Sequence, residues 1–176
     1  VNFGDMILGK TVVVCNDSPG FLGNRVGVYA MQVAMTEAFN YGLTVEEADA
    51  VFGRPLGIPK TGIFGLYDLI GIDLMADVLK SFIKELPISD PFHIVGKELP
   101  IINQLIEDGY TGRKGKGGFF RMNKSSDVKI LESLNYKNNT YHESKKVDLG
   151  LPDVMDVLNV IERDDVYGKY AWSIIK

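Results

Sequence analysis

Apolar residues in "GFLGNRVGVYAMQVAMTEAFNYG" fall on most sides of a 3.6-residue repeat. This pattern predicts one long, largely buried helix over residues 19–41, with Ser18 as N-cap, Pro19 at the first helical position and Gly42 as the stop. At 1.5 Å per residue such a helix is roughly 35 Å long. Gly20, Gly23 and Gly27 recur three or four apart on one side of it and lower its propensity, so they mark a place of close approach. Before it, "KTVVVC" (10–15) is β-branched and predicts a short strand or extended lead-in.

After it, Thr44 to Glu47 forms a capping box that opens a short helix ending at Gly53. "RPLGIPKTGIFG" predicts a loop, and "LYDLIGIDLMADVLKSFIKEL" an amphipathic helix broken near Gly71 and closed by Pro87. Asp90-Pro91 predicts a helix start, and residues 100–109 a further short helix. "TGRKGKGGFFR" is a glycine-rich loop running into an aromatic pair. Residues 124–150 turn polar and predict a linker; two helices are expected within 151–176. The fold class is mostly α. Its expected core includes Phe21, Val28, Met31, Val33, Met35, Phe39, Leu69, Leu74 and Leu79.

The chain has 176 residues, 45% hydrophobic, with a net charge of −4. That balance fits one globular domain or one plus part of another, and excludes a chain built to coat nucleic acid. No apolar run is long enough to cross a bilayer, and the start has no signal-peptide layout. The initial Val1 points to a piece of a longer protein. The lone Cys15 cannot form an internal disulfide, which fits a reducing compartment such as the cytoplasm; it reads as a small buried hydrophobe.

Little in the chain has the spacing of catalytic chemistry. His93 and His142 are far apart, and no metal-ligand pattern surrounds either, so no metal site is expected. Asp68 and Asp73 could pair as acid and base, but helix-start capping is the commoner role for such aspartates. "GRKGKGG" lacks the spacing and the hydroxyl of a phosphate loop and reads as a solvated basic turn. Asn24 and Arg25 stand out instead. An asparagine offers a donor and an acceptor together, and Gly20 and Gly23 would let a flat group reach it.

These residues carry a resemblance. "KTVVVCNDSPGFLGNRV" resembles the segment joining the two domains of the NAD-dependent L-3-hydroxyacyl-CoA dehydrogenases, through Asp17, Gly20, Phe21, Asn24 and Arg25. Residues Gly62, Phe64, Leu66, Asp68, Gly71 and Asp73 are similar to a second family segment, and "GRKGKGGFFR" to a third. Tyr29 and Ile63 depart from the family's usual residues. The resemblance implies a C-terminal helical domain of the 6-phosphogluconate-dehydrogenase-like type over 18–123, with 1–17 as the end of an interdomain segment. It further implies a linker over 124–150 and the start of a second related helical domain over 151–176, as in multifunctional β-oxidation enzymes.

The implied function is the substrate side of an enzyme that oxidises 3-hydroxyacyl-CoA to 3-ketoacyl-CoA. No Gly-x-Gly-x-x-Gly follows a strand here, so the catalytic His–Glu pair and the NAD site are expected on a Rossmann domain absent from this chain. No catalytic residue is then expected among these 176, and the fragment alone should be inactive. Asn24, with Gly20 and Gly23, is the implied acyl-CoA contact, and Arg25 a structural junction to a carboxylate or helix end. The implied partners are acyl-CoA, the Rossmann domain, and a second copy or another domain, docked on an apolar surface near residues 12–24. Two alternatives stay open: a non-catalytic helical domain that binds CoA esters or oligomerises, and a related hydroxy-acid dehydrogenase.

Overall fold

The computed structural model describes residues 1–123, 129–151 and 154–176. The long helix is present as α1, Phe21–Asn40. It begins two residues later than its sequence predicts, because Ser18 does not cap it. Gly20 takes the N-cap position in a left-handed conformation (φ 86°), and no side chain accepts a hydrogen bond from the first turn. The C-terminal end is closed: Gly42 (φ 69°) lets the Leu43 amide donate to the Ala38 carbonyl at 3.0 Å. The buried positions Val28, Met31, Gln32, Ala34, Met35 and Ala38 all lie in the later two-thirds of the helix.

α2 (Val45–Val51) opens on the predicted capping box: the Thr44 hydroxyl accepts from the Glu47 amide and the Glu47 carboxylate from the Thr44 amide. The Pro/Gly loop is shorter than expected, since α3 starts at Gly62 (Gly62–Ile70). Its cap comes from α2, where the Asp49 carboxylate accepts from the Phe64 amide at 2.7 Å and the Gly65 amide at 3.0 Å. Gly71 (φ 113°) separates α3 from α4 (Ile72–Glu85), as the break predicts. α5 (Phe92–Val95) and α6 (Pro100–Glu107) follow.

The core differs from expectation at three positions. Phe21 is 77% exposed, Leu69 53% and Leu74 49%. In α4 the buried stripe is Ile72, Met75, Ala76, Leu79 and Phe82, a regular i, i+3, i+4, i+7 series from which Leu74 is out of phase. Phe21 and Leu69 sit at the ends of α1 and α3, where the core leaves them mostly exposed. The aromatic centre is Phe64, packed edge-on to Phe119 at 4.6 Å between centroids.

Two segments take a form that the polarity pattern does not predict. "KTVVVC" is not a strand: it has no partner strand among the described residues, Val12 to Val14 are exposed, and Cys15 is exposed rather than buried. The polar stretch expected as a linker instead holds two strands. β1 (Phe120–Asn123), β2 (Ile130–Asn135) and β3 (Thr140–Glu143) form an antiparallel sheet in that order. Their polar side chains find partners within the fold: the Arg121 Nε donates to Glu132 at 2.7 Å, and the Tyr136 hydroxyl donates to the Leu43 carbonyl at 2.8 Å. Residues 124–128 of the expected linker, and residues 152 and 153 of the expected helical segment, lie outside the described residues.

The two last helices are α7 (Val157–Ile161) and α8 (Val166–Ile175). They share the core of α1. Val160, Tyr170 and Ala171 are fully buried, and the Tyr170 hydroxyl donates to the Ala34 carbonyl at 3.0 Å.

Candidate functional site

The first two turns of α1 leave the core. Asn24 lies four and seven residues before Val28 and Met31, so all three share one side of the helix. Val28 and Met31 are buried; Asn24 is exposed, and its amide makes no hydrogen bond among the described residues. The inward stripe thus runs out past the protein's edge and ends in an uncovered carboxamide. Among the described residues, a Cβ built at Gly23 or Gly27 would meet nothing within 4 Å. Gly20 is different. A Cβ there would run into the Phe82 ring, so its place is filled from within the domain and not left open for a ligand, as the sequence reading has it.

Arg25 is paired with a carboxylate. Its guanidinium donates to Asp90 Oδ2, and both side chains are largely buried. Asp90 Oδ1 accepts from the Phe92 amide at 2.9 Å and so starts α5. That amide, followed by the Arg25 pairing, holds the Asp90 carboxyl below the usual carboxylate range. On the opposite side of α1 from Asn24, at about 100° per residue, Leu22, Val26, Tyr29 and Val33 line an open groove of about 570 Å³ that reaches Pro91 and Ile174. Cys15 stands in its wall. With Val13, Val14 and Phe21 exposed nearby, the apolar surface expected near residues 12–24 is present.

The other candidates resolve into fold. Asp68 and Asp73 do not converge. The Asp68 carboxylate accepts from the Phe119 amide at 2.9 Å and the Phe120 amide at 2.7 Å, and its carbonyl accepts from the Arg113 amide at 2.8 Å. It therefore clamps both ends of the glycine loop to α3. Asp73 is half-buried and pairs with Lys114 at 2.7 Å. Lys116 donates to the Asp108 carbonyl at 3.0 Å, so the lysines of the basic turn are engaged. Burial pushes the Asp68 carboxyl up to about 6 despite its two amide donors. Burial likewise pushes Asp49 up to about 8, against the pull of the Phe64 and Gly65 amides.

His93 faces the Leu86 carbonyl at 3.2 Å, and His142 lies 3.3 Å from Glu46 and 3.2 Å from Ser133. Among the described residues no three metal-ligating side chains gather, and no helix is long and apolar enough to cross a membrane. Sequence reasoning missed Asp49. Its signal was a carboxylate on the inward stripe of α2 beside Val45, Ala48 and Phe52, where burial demands partners.

The 3-hydroxyacyl-CoA dehydrogenase C-terminal domain is the family whose profile matches, over residues 20–122. The chain belongs to that family. It is 40% identical over 169 residues to a Rickettsia prowazekii protein named as a fatty acid oxidation complex trifunctional enzyme, covering 96% of this chain and 23% of that one. It is 30% identical over 183 residues to a Bacillus subtilis protein named as a 3-hydroxyacyl-CoA dehydrogenase, covering 98% and 22%. The crystal structure of M. tuberculosis FadB2 superposes with a TM-score of 0.52 at 27% identity, covering 68% of this chain and 40% of that one. The chain thus spans less than a quarter of the length of these two curated relatives. The residues described for this 3-hydroxyacyl-CoA dehydrogenase domain do not suit NAD: the one sheet is antiparallel and offers no strand–turn–helix cradle for a pyrophosphate.

Proposed function

We propose that this domain is the substrate side of an NAD-dependent 3-hydroxyacyl-CoA dehydrogenase of fatty-acid β-oxidation, converting 3-hydroxyacyl-CoA to 3-ketoacyl-CoA. Family membership supports the reaction class. The observation that carries the site is Asn24: an amide without a hydrogen-bond partner among the described residues, on an inward stripe where the core has ended, with open surface at Gly23 beside it. Such a group can hold the substrate oxygen by donating from its Nδ2. NAD and the catalytic base belong to a Rossmann domain that would cover this side of α1, with residues 1–17 as the connection.

The groove on the other side of α1 is the place for a second copy or a sister domain, of which residues 151–176 would be the start. The exposed free thiol of Cys15 suits a cytoplasmic setting.

Two measurements test the reading. The 176-residue chain alone is expected to reduce no acetoacetyl-CoA with NADH, since a general base must reach the proton it moves. In the complete encoded polypeptide, Asn24→Ala is expected to lower kcat/KM by about 10²-fold or more, the scale of losing one preorganised donor to a reacting oxygen. Its thermal midpoint should match the parent. Unchanged kinetics in an equally stable variant would remove Asn24 from the site.

A further inference from the structure

The first turn of α1 has little of its own to keep it helical. It lacks a side-chain cap, starts from a left-handed Gly20, and carries Phe21 at φ 55°, a value that costs a non-glycine residue energy. Gly23 and Gly27 weaken it further. Helix ends in this condition fray. Yet the Asn24 amide must be held in place if it is to orient a substrate.

Two contacts brace this turn from outside the helix. One is the Phe82 ring of α4 beneath Gly20. The other is the ion pair from Arg25, the residue next to Asn24, to Asp90. The two braces meet, because Phe82 stacks edge-on against Phe92 at 5.2 Å, and the Phe92 amide is what Asp90 Oδ1 accepts. Asp90 therefore joins the start of α5 to the start of α1 with one carboxylate, one oxygen to each.

We infer that Asp90 is a positioning residue for the dehydrogenase reaction. Through Arg25 it fixes the turn that presents the Asn24 amide, without touching substrate itself. This rests on the reading of Asn24 given above.

Asp90→Asn separates the two tasks of the carboxylate. An asparagine keeps one oxygen for the Phe92 amide and still starts α5, but turns an amide towards the guanidinium in place of the charge. The test uses the complete polypeptide with acetoacetyl-CoA and NADH. Asp90→Asn is expected to lower kcat about tenfold with KM within about twofold, since small misplacements of an orienting group cost rate more than binding. Added to Asn24→Ala it should cost almost nothing more, because the group that it positions is already gone. Asp90→Glu, which keeps the charge, should recover part of kcat.

Hydrogen exchange gives the readout on the turn itself. The amides of Arg25 to Val28 should exchange faster in Asp90→Asn, with those of Met35 and Ala38 unchanged. An unchanged kcat, or losses that multiply in the double variant, would overturn the inference while leaving Asn24 in its role. Kinetics untouched by Asn24→Ala would instead sink the functional reading, and the inference with it. Unaltered exchange at Arg25 to Val28 would show that the ion pair is no brace, whatever the kinetics.

Discussion

Two stretches of this chain look alike on paper: "GFLGNRVG" at the start of α1 and "GRKGKGG" before β1. Each is glycine-rich and basic, and each runs into aromatic or apolar residues. In the structure they are opposites. At the loop the fold occupies the space that the glycines vacate: a Cβ at Gly112 would strike the Asp68 carbonyl, and one at Gly118 the Asp68 carboxylate. At the helix start, Gly23 and Gly27 border open space. A glycine filled by its own protein is there to let the fold close. A glycine left open is there for something else to approach. Gly20, filled by Phe82, belongs to the first kind although it sits at the helix start.

The sharpest way to break this contrast is to add a methyl group to the filled side. Gly112 has φ 95° and backbone atoms of Asp68 where a Cβ would go. Gly112→Ala should cost roughly 2–5 kcal/mol, adding about 1–3 for overpacking to about 1–2 for the left-handed backbone. Urea unfolding would read it. A loss below about 0.5 kcal/mol, the scale of an ordinary surface change, would mean that the loop is not clamped as described.

Next in size is a pH effect peculiar to the closed region. Desolvation raises the Asp68 and Asp49 carboxyls to about 6 and about 8, well above the 3.8 of the unfolded chain. A raised carboxyl binds its proton more tightly when folded. Its contribution to stability is therefore complete below about pH 4 and is lost as pH rises through the folded value. Asp73, Asp90, Glu132 and Asp165 are shifted downwards, so their contributions are lost only at more acid pH and stay level between pH 5 and 8. Stability should fall from pH 5 to pH 8, and Asp49→Asn should lose most of that slope. A variant with the parent's slope would show that Asp49 does not titrate in this window.

Much of the fold is legible in the chain because its signals are local. The Thr44–Glu47 box, the stop at Gly42 and the break at Gly71 each depend on residues within one turn of the event. The hairpin was hidden by its polarity. "LESLNYKNNTYHE" reads as linker because its polar groups are satisfied only by distant partners: Glu132 by Arg121, Ser133 by Glu46, Tyr136 by the Leu43 carbonyl. Its turn is closed by Asn139 at φ 56°, a conformation that asparagine tolerates. Asp49 was hidden for the same reason, since its two donors lie 15 and 16 residues on. Of the proposed site, the sequence offers Asn24 as a candidate and a carboxylate or helix end as the partner of Arg25. That Asp90 would supply it, 65 residues away, could not. Nor could the sequence tell that Gly20 is filled while Gly23 is open, because Phe82 comes from another helix.

The smallest effect on stability is also the most discriminating. Gly23 lies within α1, needs no left-handed backbone, and has nothing within 4 Å of a built Cβ. If its only role were structural, Gly23→Ala would be an improvement: alanine in a helix interior is favoured over glycine by about 0.5–1 kcal/mol. The fold should accept the methyl group, and the thermal midpoint should rise slightly. The function should not accept it. Gly23 adjoins Asn24 on uncovered surface, and a methyl group there stands where the substrate or the Rossmann domain would approach. The expected outcome is a domain slightly more stable than the parent, with a lower kcat/KM in the complete polypeptide. Gly112→Ala does the reverse, losing activity only as the fold is lost. A Gly23→Ala enzyme that is more stable and fully active would mean that nothing comes close to this surface, and the open glycine would then have no role beyond weakening its helix.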